Sequence, residues 1–562
     1  MSKKLLAFLL LITSILFSIT SCKEDEGEGT PERPSFTLPG SATAQVGQQI
    51  EIQVAEINAT GNIASVTATT TSGTVDEVVV TGQGAASGSA VIKFTAPETA
   101  GTSTITVVVT DGQNPAKSDQ KAIAVTVTED PIAPTKDIFF SAEGTGTRTF
   151  YKDTVYRLNG FIFVNDGQTL TIEAGTIIKG EPGQGTAASA LIVARGGKIM
   201  AEGTAEAPII FTALEDDIQP GQKKGTTLAA NRRGLWGGLI LLGKAPINHA
   251  SAEVSIEGIP STETRGIYGG TDPADNSGVL KYISIRHGGT NIGAGNEING
   301  LTMGGVGSGT SISYIEVFGN DDDGFEWFGG NANTSYLASV YNQDDSYDWD
   351  FGWRGQNQFW VAYQEPGFEG SGSGFESDGA HSGNYTAAVF SKPQIFNLTS
   401  IGQENGGTTS NRAMFFTEGS GGLINNSIVM NFASGVELTD VGATGMNSRD
   451  RLASGDLAFK NNIFFKIGDN SMATVSHGLA ALETHLTANA NVLGDPQLAA
   501  ASGTAKINLL PVADGAAFTT PRAALPAADN GFTYETADFI GAFGTNNWMK
   551  GWTAADAYGL LD

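Results

Sequence analysis

The chain is predicted to be all-β, a small antiparallel sandwich followed by a long solenoid of stacked coils. Three observations predict this. The 562 residues include 74 Gly and only 16% charged residues, a turn-rich composition unlike a helix bundle and a length too great for one compact core. From Phe36 to Asp130, short segments alternate apolar and polar residues with period two, the pattern of half-buried strands. Further on, SYIEVFGNDDDGFEWFGG from Ser313 and SYLASVYNQDDSYDWDFGW from Ser335 superimpose at a spacing of 22 residues. Self-similarity at such a period marks a solenoid, in which each coil buries its apolar face only by stacking on its neighbours.

The first element is a targeting segment over residues 1–21, with Lys3 and Lys4 ahead of an apolar run from Leu5 to Thr20. Its ending, Ile19-Thr20-Ser21-Cys22, resembles the lipobox of bacterial lipoproteins. That resemblance implies cleavage before Cys22 and a diacylglycerol on its thiol, making outer-membrane lipid a partner. Cys22 is the only cysteine, so the mature chain has no internal disulfide. Residues 22–34 form a tether that opens Lys23-Glu24-Asp25-Glu26. It lacks an Asp directly after the Cys and resembles the export signal of surface-exposed lipoproteins, which implies a lipid-anchored protein on the outer face of the outer membrane. Acidic residues outnumber basic ones 59 to 32, for a formal charge of -27, which argues against nucleic acid as a partner.

Residues 35–130 form the sandwich, with strands expected at Gln49 to Val54, Ser89 to Phe94, Ser103 to Val109 and Ala122 to Val127. The stretch resembles bacterial Ig-like and cadherin-like modules, although it contains neither Trp nor Cys. Its expected role is a spacer. Residues 131–136, with Pro131 and Pro134, form the linker.

Residues 137–562 form the solenoid. LTIEAGTIIKG from Leu170, SALIVARGGKIMAEG from Ser189, APIIFTALED from Ala207 and GLWGGLILLGKAPIN from Gly234 are short apolar runs closed by turn residues, with no helical period between them. These segments resemble right-handed parallel β-helix proteins of the pectin-lyase-like type. Gly175-Thr176, Ala207 to Thr212 and Trp236-Gly237-Gly238 are similar to a family of secreted or lipid-anchored bacterial β-helix proteins. The resemblance implies the fold and says little of activity. A solenoid needs its ends closed. Phe139 to Gly160 is expected to cover the first end, the aromatic-rich Asp538 to Phe543 and Trp548 to Trp552 the second, and Ser476 to Leu486 to form a short helix.

The candidate site lies in the repeat. Asp322 matches Asp344, Asp323 matches Asp345, and Glu326 matches Asp348. Stacked strands lie about 4.8 Å apart, and like charges at that distance repel by about 3.5 kcal/mol at an effective dielectric near 20. A bound cation offsets this. The Asp, Asn and Gly runs suit an oxygen-liganded ion, calcium before zinc, with Asp322, Asp323, Asp344 and Asp345 as ligands; the bland alternative is that these acids serve turns.

Phe325-Glu326, Tyr347-Asp348 and Phe375-Glu376 each put an aromatic before an acid, and Val436-Glu437 lies two coils on. Alternation along a strand would turn the aromatics inward and the acids outward. Glu326, Asp348, Glu376 and Asp378, with Trp353, Trp360 and Arg354, are the expected ligand-binding residues, the ligand being a glycan that stacks on aromatic rings. Interior stacking is the competing reading for Trp327 and Trp349. Of the five His, only His381 lies beside the acids, and none has zinc-site spacing.

Hydrolases of the resembled fold use clustered Asp, a His-Gly and an Arg-x-Lys. Here His287-Gly288 precedes the acids and no Arg-x-Lys follows them, so no catalytic residue is carried over. The expected function is therefore a surface lipoprotein that binds a glycan on a calcium-supported acidic and aromatic face. The alternatives are a polysaccharide lyase or glycoside hydrolase, and an accessory component of an outer-membrane transport or adhesion assembly.

Overall fold

The computed structural model describes residues 32–128, 134–293, 296–368, 370, 372–380, 389–403, 411–441, 446–501 and 506–562. The targeting segment, Cys22, most of the tether, residues 131–133 of the linker and His381 lie outside the described residues. Among the described residues no helix is long and apolar enough to cross a membrane. The chain divides into two compact units, Met1–Ile132 and Ala133–Asp562.

The first unit is a sandwich of two four-stranded sheets. In Gly101–Asp111, Ile105, Val107 and Val109 are fully buried while their neighbours are not, so period-two alternation places one face on the core. Ile52, Val54, Ile92, Phe94, Ile123 and Val125 complete that core.

The second unit is a parallel β-helix. A typical coil runs from Phe325–Phe328 on a first face to Asn333–Val340, which bends at Tyr336 into two further faces. The first face is a nine-stranded parallel sheet, Phe161–Val164 through Ser434–Leu438. The 22-residue spacing is the coil length, for Ser313 pairs with Ser335, Glu326 with Asp348 and Trp327 with Trp349. The bend is built from residues at positive φ: Tyr282, Tyr314, Tyr336 and Phe359 at 49°, 55°, 57° and 61°. Each costs about 1 kcal/mol for a non-glycine residue. Stacking of successive rings at 4.4, 4.3 and 4.8 Å offsets that cost.

Phe139 to Gly160 contributes the first coil rather than a separate cap, since Val155–Asn159 pairs in register with Ile177–Gly180. At the other end Val475, Leu482 and Leu486, from the helices Met472–Val475 and Ala480–Ala488, join the coil interior. The C-terminal aromatics therefore do not close that end. They lie along the outside of the third face, where Ile540, Phe543, Met549 and Ala554 pack on Phe318, Val340, Val361, Ile401 and Ile428. Trp552 and Trp548 meet the stacked tyrosines edge-on.

A buried carboxylate ties this strap down. Glu316 accepts the backbone N–H groups of Ala554 at 2.6 Å and Ala555 at 2.9 Å, and the Ser284 hydroxyl at 2.5 Å. Glu316→Gln puts an amide N–H against one of these donors, and chemical denaturation should register a loss of about 2–3 kcal/mol. A loss below about 0.5 kcal/mol would show that the strap is held by its apolar contacts alone.

Candidate functional site

On the first face, successive side chains point to opposite sides of the sheet. Phe325, Trp327, Tyr347, Trp349 and Phe375 turn inward and are fully buried. Glu326, Asp348 and Glu376 turn outward and stand in register on three successive coils. Phe415 and then Glu437 continue the same row.

Asp322 and Asp323, and one coil on Asp344 and Asp345, occupy the turns that lead into these strands rather than the strands themselves. Gly324 is required in the first turn, where an added Cβ would lie 2.5 Å from Asn342 Nδ2 and 2.7 Å from the Ser346 carbonyl. The turns stack through their side chains. Asp323 Oδ1 accepts the backbone N–H of Asp345 at 2.8 Å, and Asp345 Oδ1 accepts that of Ser373. Asn342 Oδ1 likewise accepts the N–H of Asn320 at 2.8 Å.

Two overlapping carboxylate groups result, in each of which one oxygen per residue lies within 4.8 Å of the others. One is Asp322, Asp323 and Asp344; the other is Asp323, Glu326 and Asp348. Of the four expected metal ligands, Asp345 joins neither group, because its carboxylate is turned to the next coil's backbone. Glu326 and Asp348, expected to face a glycan, stand instead among the oxygens that could hold an ion.

The other expected ligand contacts are distributed differently. Trp353 and Trp360 are fully buried and stack on Trp327 with centroids at 4.3 and 5.2 Å. Their indole N–H groups donate to the Ala332 carbonyl and the Thr334 hydroxyl. Neither presents a ring to solvent, so the aromatic platform expected there is an interior stack. Arg354 donates to the Phe390 carbonyl at 2.9 Å and covers the Phe390 ring, away from the strip. Glu376 and Asp378 do line the strip, on the next coil.

Burial is the first cause that raises the carboxyls of Asp323, Glu326 and Asp348 well above the usual range, and the neighbouring carboxylates follow as the next causes. For the same reasons Asp350 is pushed up to about 7 and Asp378 to about 9. Asp348 Oδ1 and Asp378 Oδ1 are buried and, among the described residues, accept no hydrogen bond.

Two participants escape sequence reasoning. Asn299 Nδ2 donates to Glu326 and lies 3.4 Å from Glu257 Oε1. Glu257 belongs to an excursion between Leu239–Leu242 and Gly278–Arg286, which breaks the repeat and so carries no periodic signal. Asp350 was legible in principle, as the acid that follows Trp349.

Among solved structures, a family 28 exopolygalacturonase of Yersinia enterocolitica aligns over 78% of this chain and 93% of its own, at 9% identity and a TM-score of 0.18. The SrpA adhesin of Streptococcus sanguinis covers 21% of this chain and 67% of its own, at 13% identity and a TM-score of 0.15. Mouse clustered PcdhgC3 EC1-3 covers 24% and 41%, at 13% identity and 0.14. No curated protein matches the chain. The sequence match that decides the family covers residues 141–553, well over half of the chain, and by it the protein belongs to the pectate-lyase-like beta helix domain family.

Proposed function

We propose that the protein is a lipoprotein of the outer-membrane surface, anchored through Cys22, whose β-helix holds calcium on the first face and binds a glycan there. The observation that carries the reading is the pair of carboxylate groups sharing Asp323, with oxygens within 4.8 Å of one another. An all-oxygen donor set suits calcium, which takes six to eight such ligands. Asp323, Glu326 and Asp348 would hold the ion, with Asp322 and Asp344 beside them, and bound calcium offers open coordination positions to sugar hydroxyl and carboxylate oxygens. Asn299 fixes the Glu326 carboxylate, and the buried aromatic stack keeps the strand beneath it rigid.

Isothermal titration tests the site. Wild-type protein should take up calcium with a Kd of about 10⁻⁴–10⁻³ M, the range of extracellular modules. Glu326→Gln with Asp348→Asn should abolish most of that uptake while keeping side-chain volume. Glycan retention on a polysaccharide column should need calcium and be lost in the double variant. Calcium uptake unchanged in the variant, or retention indifferent to chelator, sinks the proposal.

A second reading, polysaccharide lyase or glycoside hydrolase, is favoured by one observation. Asp350 is pushed up to about 7, where a carboxyl can act as a general acid near neutral pH. Release of reducing ends or unsaturated products from a glycan, lost in Asp350→Asn, would favour it over binding alone.

A further inference from the structure

Away from the acidic strip, the excursion that carries Glu257 roofs a cleft of about 530 Å³ over the first coils. Its floor is Ala194 and Arg195, just after the strand Ala190–Val193, and Lys244, just after Leu239–Leu242; its roof includes Thr271 and Asp272. Arg195 is fixed, donating to the Gly269 carbonyl at 3.0 Å and pairing with Glu253 at 2.8 Å. Lys244 is not. Its ammonium lies 3.9 Å from Asp166 Oδ1, beyond hydrogen-bond reach, and among the described residues it donates no hydrogen bond. Asp166, with its side chain 79% exposed, stands across the mouth from it.

Gly196 keeps that mouth open. It sits at φ 80°, and an added Cβ would lie 1.8 Å from Asp166 Oδ1 and 2.9 Å from Lys244 Nζ. Any side chain there would fill the gap between the acid and the ammonium. The cleft thus offers one donor-only group and one acceptor-only group about 4 Å apart, with a hydroxyl from Thr271 and an apolar wall from Ile267.

We propose that this cleft is a metal-independent binding site for a neutral sugar, held by a pair of vicinal hydroxyls. Each sugar hydroxyl both donates and accepts, so adjacent hydroxyls satisfy Asp166 and Lys244 together without bringing a net charge into a cleft whose acids and bases balance. The ring's C–H face lies on Ile267. The proposal is independent of calcium and of the strip, and either can fail without the other.

Saturation-transfer NMR on the intact protein in EDTA, with lactose, cellobiose and maltose as probes, tests it. Transfer to at least one disaccharide is expected, with Lys244→Ala and Asp166→Ala each weakening binding by about tenfold and Asp348→Asn leaving it unchanged. Lys244 and Asp166 are exposed enough for both variants to fold, which circular dichroism checks. Gly196→Ala should abolish transfer by filling the mouth. Absence of transfer from all three probes, a requirement for calcium, indifference to Lys244→Ala and Asp166→Ala, or binding of galacturonate or glycine but of no neutral sugar would each overturn the assignment.

Discussion

Trp327→Ala is expected to lower the unfolding free energy by about 3–5 kcal/mol, the cost of removing a large aromatic from a closed core. Trp327 is fully buried between coils, stacked on Trp353 at 4.3 Å and Trp360 at 5.2 Å, with Phe325 at 6.2 Å and Tyr347 at 6.4 Å. No neighbour can collapse into the space without breaking another stack. Among the described residues the indole Nε1 has no hydrogen-bond partner, so Trp327→Phe loses only ring volume and should cost far less, about 1–2 kcal/mol. Denaturant titration followed by circular dichroism reads both. Equal losses for the two variants would show that the indole makes a polar contact, and a loss under about 1 kcal/mol for the alanine would show that the stack relaxes freely. Because Glu326 precedes Trp327 on the same strand, the alanine variant should also weaken calcium uptake.

The stack explains which parts of this molecule could be read in advance. The 22-residue register was legible because no insertion separates Ser313–Gly330 from Ser335–Gly352, so pattern and coil coincide. Glu376 was also found in register, across a longer loop, because an aromatic–acid pair marks each first-face strand. Orientation was harder. Trp353 and Trp360 resemble a sugar platform in sequence, yet the coil interior is wide enough for a stack of three indoles and a tyrosine, and burying them is worth more than exposing them. Gly352, at φ 85°, turns the corner that sends Trp353 inward.

Surfaces that are covered by distant segments were not legible at all. An aromatic-rich C-terminal stretch is equally suited to an open end or to an apolar side. What decides is the outward row Phe318, Val340, Tyr363 and Ile401, whose need for cover becomes visible only when the third face is assembled. Glu257 reaches Asn299 from a segment outside the repeat for the same reason.

Stability should depend on pH in opposite senses with and without calcium. Asp350 is raised to about 7 and Asp378 to about 9 from 3.8, so the folded state holds these protons more tightly than the unfolded chain does. A carboxyl raised in this way destabilises the fold above its folded pKa. The penalty is relieved as pH falls through that value, and is gone below the unfolded one. In chelator, therefore, the melting temperature should rise as pH falls from about 9 towards 6. His287 opposes this gain below pH 6.5. Its ring, placed between the Arg232 carbonyl and the Tyr558 hydroxyl, is lowered by burial from 6.5 to about 4, so stability present above 6.5 is lost as pH falls from there to 4. Calcium reverses the upper limb, since it binds ionised carboxylates and stabilises by mass action. The gap between calcium-loaded and chelated protein should be widest near pH 9 and close as the strip takes up protons. Asp350→Asn with Asp378→Asn should reduce the chelated rise above pH 6 and leave the opposing loss from His287 below 6.5 less offset. A chelated protein that loses stability steadily from pH 9 to 7, or a calcium increment that does not change with pH, would mean that these carboxylates are not the charges that calcium balances.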